Sequence, residues 1–419
     1  MNTVTFDIKP DTVEQELARG ADISIINLFD QLIENAYQRR ASDIHIDPLS
    51  GSVRIRFRID GVLQDAYTFP KEINNEIISR IKILSRLRTD EHQATQDGRF
   101  RYALPEENPK NGLPAKVIDF RVSIVPTYHG ENAVLRLLLN KNEQLMLTDL
   151  GFSESDKRKI ENALRKTHGM ILSTGPTGSG KTTTMYTLIK MLNSPQISIV
   201  TIEDPIEYAI DDIEQIQVNA QHGLTFANGL RSILRQDPNI IMVGEIRDAE
   251  TASIAVNTAL TGHILLSTLH TSDAATTLPR LLDMGIEEYL VASTVSLAIG
   301  QRLVRKICKN CKEKIPMTHV MRESLLKTPY ASLLVSNDFI HRGRGCKNCG
   351  NTGYKGRICI NEVLVADDEI RESILRRASA SEIKKIAIKN GMTTMFEDGF
   401  RKVNQGLTTI EEVLRVVHE

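Results

Sequence analysis

The plainest chemistry in this chain lies in Gly175, Pro176, Thr177, Gly178, Ser179, Gly180, Lys181 and Thr182. They read G-x-x-x-x-G-K-T, the spacing of a phosphate-binding loop. Glycines let such a backbone curl until successive N–H groups face phosphate oxygens. A helix expected from Thr183 to Leu192 adds the partial positive charge of its N-terminus. Lys181 would reach the β- and γ-phosphates of ATP, and Thr182 would hold Mg²⁺ through its hydroxyl. The apolar run Met170-Ile171-Leu172 leads in as a strand, which gives the motif the strand–loop–helix setting it needs.

Other residues have types and spacing that suit the same reaction. Residues 240–243 are an apolar strand followed by Gly244 and Glu245. In a chain with a phosphate loop, such an acid takes Mg²⁺ or its water. Glu203-Asp204-Pro205-Ile206-Glu207 closes the preceding strand. Carboxylates so close together need a cation or arginine nearby, and one of them could polarise an attacking water. His263 and His270 flank the strand 264–268 and could sense or relay the loss of a γ-phosphate, although a lone histidine is more often structural. Arg231 and Arg235 are four apart, Arg247 closely follows Glu245, and Arg280 lies further on. On residue type alone these arginines read as solvated surface.

Cys308-x-x-Cys311 and Cys346-x-x-Cys349 are a separate signal. Two such knuckles complete a tetrahedral Zn²⁺ site with no open position, hence a structural one. Binding energy of about 10 kcal/mol would fold the insert, expected at 305–352 with a helix near 322–334. A redox dithiol is the plainer alternative. Cys359 falls outside the spacing and reads as a buried strand residue.

The elements that must position these groups fall into two sets. Residues 1–20 read as a polar lead-in. Apolar residues at helical spacing mark 23–37 and 73–84, and alternation marks strands at 42–48 and 53–59, the latter with Arg54, Arg56 and Arg58 on one face. Asp60-Gly61 turns the chain, and 96–99 reads as another turn. A Pro/Asn/Gly-rich loop covers 106–114, and strands follow at 117–125 and 133–139. This makes a small α+β domain at 21–140, joined by a linker at 141–144 to an α/β domain at 145–419. In the second domain a helix at 153–166 precedes the loop. Apolar strands at 199–202, 240–243 and 264–268 alternate with helices, which points to a parallel sheet covered on both faces, with ligand at the carboxyl ends of its strands. Residues 367–419 read as helices, with Thr408-x-x-Glu411 as a capping box.

The chain has 419 residues, 41% apolar and 25% charged, with Lys+Arg 52 against Asp+Glu 53. This near balance argues against a dedicated nucleic-acid channel. No apolar run is long enough to span a membrane, and the N-terminus lacks the apolar core of a signal peptide, so the expectation is a cytoplasmic protein with peripheral membrane contact.

Taken together, the motifs resemble the secretion ATPases of type II secretion and type IV pilus assembly. The resemblance rests on Ser42-Asp43-Ile44-His45-Ile46, Arg56 to Val62, Gln96-Asp97-Gly98-Arg99, the phosphate loop, Thr201 to Glu207, Leu230 to Pro238, Val243 to Asp248, Thr261-Gly262-His263 and Ser267 to Thr271. It implies a PAS-like N-terminal domain and a RecA-like ATPase domain in a homo-hexameric ring, with ATP between the two domains. It implies that Arg121 and Arg136 contact phosphate. Arg231, Arg235, Arg247 and Arg280 would act at interfaces or as sensors. Glu203 would be the base orienting water and Glu245 the Mg²⁺ partner, with the reverse assignment open. The implied partner is a platform protein at the inner membrane, and the implied work is pilus or pseudopilus assembly. The tetracysteine insert favours the assembly or secretion branch over the retraction branch. Longer members carry a further N-terminal domain, so this chain reads as a short or trimmed form. A RecA-like DNA-uptake motor is the rival reading.

Overall fold

The computed structural model describes residues 12–104, 117–138, 145–317 and 339–418, in two compact units, Met1–Asn142 and Glu143–Glu419. The expected linker at 141–144, the loop at 106–114 and the helix near 322–334 lie outside the described residues.

The first unit contains α1 (Thr12–Leu17), α2 (Ile25–Gln38), β1 (Ala41–Pro48), β2 (Ser52–Ile59), β3 (Val62–Pro70), α3 (Asn74–Leu84), β4 (Gln96–Ala103), β5 (Val117–Thr127) and β6 (Gly130–Leu138). Its strands form one sheet in the order β3-β2-β1-β6-β5-β4, and every neighbouring pair is antiparallel. Period-2 alternation sends Ile44, Ile46, Val53, Ile55, Phe57, Phe120 and Leu135 to one face. The apolar stripes of α2 (Leu28, Phe29, Leu32, Ile33) and α3 (Ile77, Ile78, Ile81) cover that face. Ser24 caps α2 by accepting from the Asn27 N–H. Residues 12–17, read above as lead-in, form α1, whose Val13 joins this core.

Two features of this unit differ from the sequence reading. Asp60 (φ 49°) and Gly61 (φ 91°) both sit in the left-handed region, the geometry of a tight hairpin, and β3 follows where no strand was expected. Residues 96–99 are the start of strand β4, not a turn. Gly98 is there for room: a Cβ on it would lie 2.9 Å from the Ser85 Cβ, so its missing side chain lets the segment after α3 cross close to the strand.

The second unit runs through α4 (Leu147–Leu150), α5 (Glu154–Leu164), β7 (Gly169–Thr174), α6 (Lys181–Leu192), β8 (Ile199–Glu203), β9 (Glu214–Gln217), α7 (Phe226–Ile233), β10 (Ile240–Val243), α8 (Ala249–Leu260) and β11 (Ile264–Leu269). It continues with α9 (Ala274–Asp283), α10 (Glu288–Thr294), β12 (Val295–Ile307), β13 (Lys312–Pro316), β14 (Phe339–Gly343), β15 (Tyr354–Val365), α11 (Asp368–Leu375), α12 (Ala380–Lys389), α13 (Met395–Asn404) and α14 (Ile410–His418).

Its main sheet has the order β15-β12-β7-β11-β10-β8-β9. All neighbours are parallel except β15, which runs antiparallel to β12. Alternate strand residues enter two different cores. Met170 and Leu172 of β7 pack with α7 to α12, whereas Ile171 packs with α5 and α6. Both faces are thus covered, which is why β7, β8, β10 and β11 are buried along their whole length. A further cluster joins Val304 and Ile360 to Phe396, Phe400 and Val413 of the last two helices. At the start of α14 the cap is Thr409, which accepts from the Glu412 N–H at 3.4 Å; Thr408, the expected cap, donates to the Arg305 carbonyl instead.

Candidate functional site

Strand β7 delivers the glycine loop, and α6 begins at Lys181. Gly180 adopts φ 92° as the residue before the helix. Gly175 (φ 145°) has no room for a side chain, since a Cβ would meet the Gln301 carbonyl at 2.5 Å. Gln301 of β12 clamps the loop: its Nε2 donates to the Ser179 carbonyl at 2.9 Å, and its Oε1 accepts from the Ser173 hydroxyl at 3.1 Å. Lys181 is 8% exposed, and its Nζ donates to the carbonyls of Gly175 (2.7 Å) and Pro176 (3.1 Å). Burial, with the Arg302 guanidinium adding to it and Glu245 opposing, pulls the ammonium down to about 8.

The carboxyl ends of β10 and β11 put a charged cluster beside this lysine. Glu245 accepts from Arg247 Nη2 at 2.5 Å and contacts His270 Nε2 at 3.1 Å. Thr268 donates to the Gly244 carbonyl at 2.7 Å, which holds the two strand ends together. The Thr271 N–H donates to the Thr174 hydroxyl at 3.0 Å, tying the segment after His270 to the base of the phosphate loop.

Glu203, at the end of β8, has different company. It is 2% exposed and is held by neutral donors: Thr201 Oγ1 at 2.6 Å, Gln215 Nε2 at 3.1 Å and the Tyr186 hydroxyl. Burial raises its carboxyl above the usual range against these bonds.

His263 must be corrected. It precedes β11, its carbonyl accepts from Gly169 at the start of β7, and its Nδ1 lies 3.2 Å from the Thr258 carbonyl. Parallel strands place both of those positions at the edge opposite the loop, about 20 Å of strand away. Within this chain His263 cannot meet a phosphate at Lys181; His270 occupies the correct edge.

The arginines divide. Arg247 belongs to the Glu245 cluster. Arg231 pairs with Glu250 at 2.7 Å, and Arg235 donates to the Arg231 carbonyl at 3.0 Å. Arg280 is exposed at the end of α9. Among the described contacts none joins these last three to Lys181, Glu203 or Glu245. In the first unit Arg121 and Arg136 are direct cross-strand partners. They stand in one row with Arg99, Asp43 and Arg58 on the face away from the helices. Asp43, only 4% exposed, accepts from Arg136 Nε at 2.9 Å and pairs with Arg58 at 3.4 Å.

The four cysteine sulfurs of Cys308, Cys311, Cys346 and Cys349 lie within 4.8 Å of one another. The separations of Cys308–Cys346 and Cys311–Cys349 are 3.8 Å, and that of Cys346–Cys349 is 3.7 Å. A tetrahedron of Zn–S bonds of about 2.3 Å has edges of about 3.8 Å, so the residues fit that ion. Burial alone would push Cys349 up, but N–H groups of Cys346 and Gly353 outweigh it and bring the thiol to about 7. Cys359 is buried in β15, apart from the cluster.

The residues that sequence reasoning missed are Asp43, Tyr186, Gln215, Gln301 and Arg302. Tyr186 carried a signal, since it lies four residues after Thr182 on the helix the loop opens. Gln301 and Arg302 sit more than a hundred residues from the loop and carried none.

Comparison with known proteins places this arrangement. The type II secretion system protein E of Xanthomonas campestris is 44% identical over 410 residues, covering 98% of this chain and 70% of that protein. The type IV pilus assembly ATPase PilB of Thermus thermophilus is 46% identical over 92% of this chain, which spans 42% of it. Among solved structures, the ATPase DotB of Legionella pneumophila shares the fold with a TM-score of 0.65 at 23% identity, over 93% of this chain and 95% of that one. The pilus retraction motor PilT with bound ADP has a TM-score of 0.59 at 25% identity, over 92% and 96%. The family described as type II/IV secretion system protein matches residues 19–415. The chain therefore belongs to the type II/IV secretion system protein family.

Proposed function

We propose that this protein hydrolyses ATP at the Gly175–Thr182 loop and uses the energy to drive pilus or pseudopilus assembly or type II secretion. One observation carries the reading: the glycine loop, the buried Lys181 and the Glu245–His270–Arg247 cluster meet at the carboxyl edge of one parallel sheet. Ligands of open α/β sheets bind at that edge. Thr182 and Glu245 are the residues that would hold Mg²⁺, which neutralises charge on the β- and γ-phosphate oxygens when bound. Lys181 exchanges its two carbonyl partners for phosphate oxygens. Glu203 takes the proton of the attacking water as its oxygen bonds to the γ-phosphorus; the bridging P–O bond breaks, and ADP leaves with that electron pair. The different surroundings of the two acids support this division of labour: Glu203 lies among neutral donors with its affinity for a proton raised, and Glu245 is paired with Arg247 and faces Lys181.

The second unit is read as RecA-like and the first as PAS-like, divided near residues 141–144. Arg121 and Arg136 stand opposite each other in a row with Arg99 and Arg58 in which Asp43 is the one carboxylate; this excess of positive charge supports their assignment to phosphate. Arg231, Arg235, Arg247 and Arg280 are assigned to interface or sensing roles in a homo-hexamer, and the four cysteines to a structural Zn²⁺. The work is delivered to a platform protein at the inner membrane. Among the described residues no helix is long and apolar enough to cross a membrane, which suits peripheral attachment from the cytoplasm. A DNA-uptake motor is not favoured by the relatives or by the balanced charge. The test is ATP turnover of Lys181→Ala and Glu245→Gln: both are expected to lose at least about 100-fold, and undiminished turnover in both overturns the assignment.

A further inference from the structure

We propose that Tyr186 is a positioning residue for Glu203, holding the carboxylate in place from the helix that the phosphate loop opens; this rests on the reading of Glu203 as the base.

Tyr186 is completely buried and lies one turn after Thr182 on α6. Side chains on a helix lean toward its N-terminus, so the ring reaches back toward the loop end. It meets the end of β8, where its hydroxyl bonds to Glu203 Oε2. A phenol has one proton and two lone pairs. The Glu207 N–H, which can only donate, approaches the Tyr186 oxygen at 3.3 Å. An ionised Glu203 can only accept, so the single phenolic proton goes to it. Burial and Glu203 push the Tyr186 hydroxyl upward against the smaller pull of the Glu207 N–H, so it keeps that proton while Glu203 gains and loses its own.

The rest of the shell is neutral or apolar. Thr201 and Gln215 donate to the other carboxylate oxygen, and Tyr208 packs edge-on against Tyr186 at 4.7 Å with Lys190 Nζ 5.2 Å from the centre of the Tyr208 ring. Among the described residues the charged group that acts on Glu203 is Glu207, and it is a like charge. A buried carboxylate without a cation survives only through its donors. Tyr186 is the donor that belongs to the loop's own helix, so it couples the position of Glu203 to that of the loop.

The test uses the full chain. Tyr186→Phe keeps the ring and its contact with Tyr208 and removes only the hydroxyl. Its kcat is expected to fall about tenfold or more, the loss of one hydrogen bond to a charged group, with KM for ATP within about twofold. In the Glu203→Gln background the same change is expected to cost nothing further. Thr201→Val, which removes the donor on the other oxygen, serves as the second variant if Tyr186→Phe does not fold, with the same split expected. Wild-type kcat in Tyr186→Phe alongside a dead Glu203→Gln overturns the role of Tyr186 alone. A loss that multiplies with Glu203→Gln overturns it too. Full activity in Glu203→Gln overturns instead the assignment of the base.

Discussion

Removing the charge of Lys181 should make the nucleotide-free protein more stable while abolishing its use of nucleotide. The ammonium is buried and lowered from 10.5 to about 8. At about 1.4 kcal/mol per pH unit, keeping it charged at pH 7 costs about 3 kcal/mol of folding stability. Lys181→Met retains the length of the side chain and lifts that cost. It also forfeits the bonds to the Gly175 and Pro176 carbonyls, worth about 1 kcal/mol each. The expected net gain is about 1 kcal/mol, a rise in melting temperature of about 2 °C for the second unit. The pH dependence has a definite sign. Below pH 8 the lysine is charged in both the folded and unfolded states, and the penalty is complete. Between about 8 and 10.5 the unfolded chain binds one more proton than the folded one, so wild-type stability climbs and the advantage of the variant closes. Calorimetry without nucleotide at pH 7 and pH 9.5 reads both effects. A variant that melts at or below wild type at pH 7, or keeps the same advantage at both pH values, refutes the reasoning.

Three further outcomes follow from particular contacts. Elemental analysis should find one zinc per chain, and a strong chelator should expose the segment around Cys308–Cys349 to protease; four freely titratable thiols and no metal would remove the site. Gly229→Ala should destabilise by about 1–3 kcal/mol rather than gain the usual helix benefit, because its Cβ would fall 2.0 Å from Ile202 Cδ1 beside Glu203; an unchanged denaturation midpoint and turnover would contradict this. Glu412 is opposed by burial, but bonds to Arg415 and Arg305 bring it to about 2. Its contribution of about 3 kcal/mol is present above pH 4.5 and lost as pH falls toward 2, so the stability gap to Glu412→Gln should narrow between pH 5 and pH 3 in urea titrations; a constant gap would count against the pairing.

What could be read from the sequence was whatever depends on neighbours along the chain. The G-x-x-x-x-G-K-T loop, the apolar strands ending in Glu203 and Glu245, and the two cysteine knuckles each carry their chemistry within a few residues. Long-range pairing was not legible. Gly98 has the signature of a turn, yet it relieves a crossing with Ser85 that only the folded sheet creates. His263 and His270 look equivalent as flanks of one strand, and only the parallel register with β7 separates the phosphate edge from the opposite one. Strand β12, and β15 beyond Cys359, escaped because Arg302, Arg305 and Lys306 in one and Lys355, Arg357 and Glu362 in the other break up the apolar runs that marked β8, β10 and β11. With them went Gln301 and Arg302, whose contact with the loop is a property of the sheet order.

Strand β12 also has a mechanical consequence. At Gln301 it grips the phosphate loop, and immediately beyond its end it carries Cys308. The seven residue steps between them span about 23 Å of extended chain, paired with β15 apart from a bulge between Arg305 and Ile307. A strand paired over most of that length can tilt or translate as a bar, but it cannot shorten without breaking its ladder. The cysteine cluster and the loop therefore sit at two ends of one strut, whose bulge beside the cysteines is the place for it to bend. A displacement of either end is carried to the other as leverage about that point.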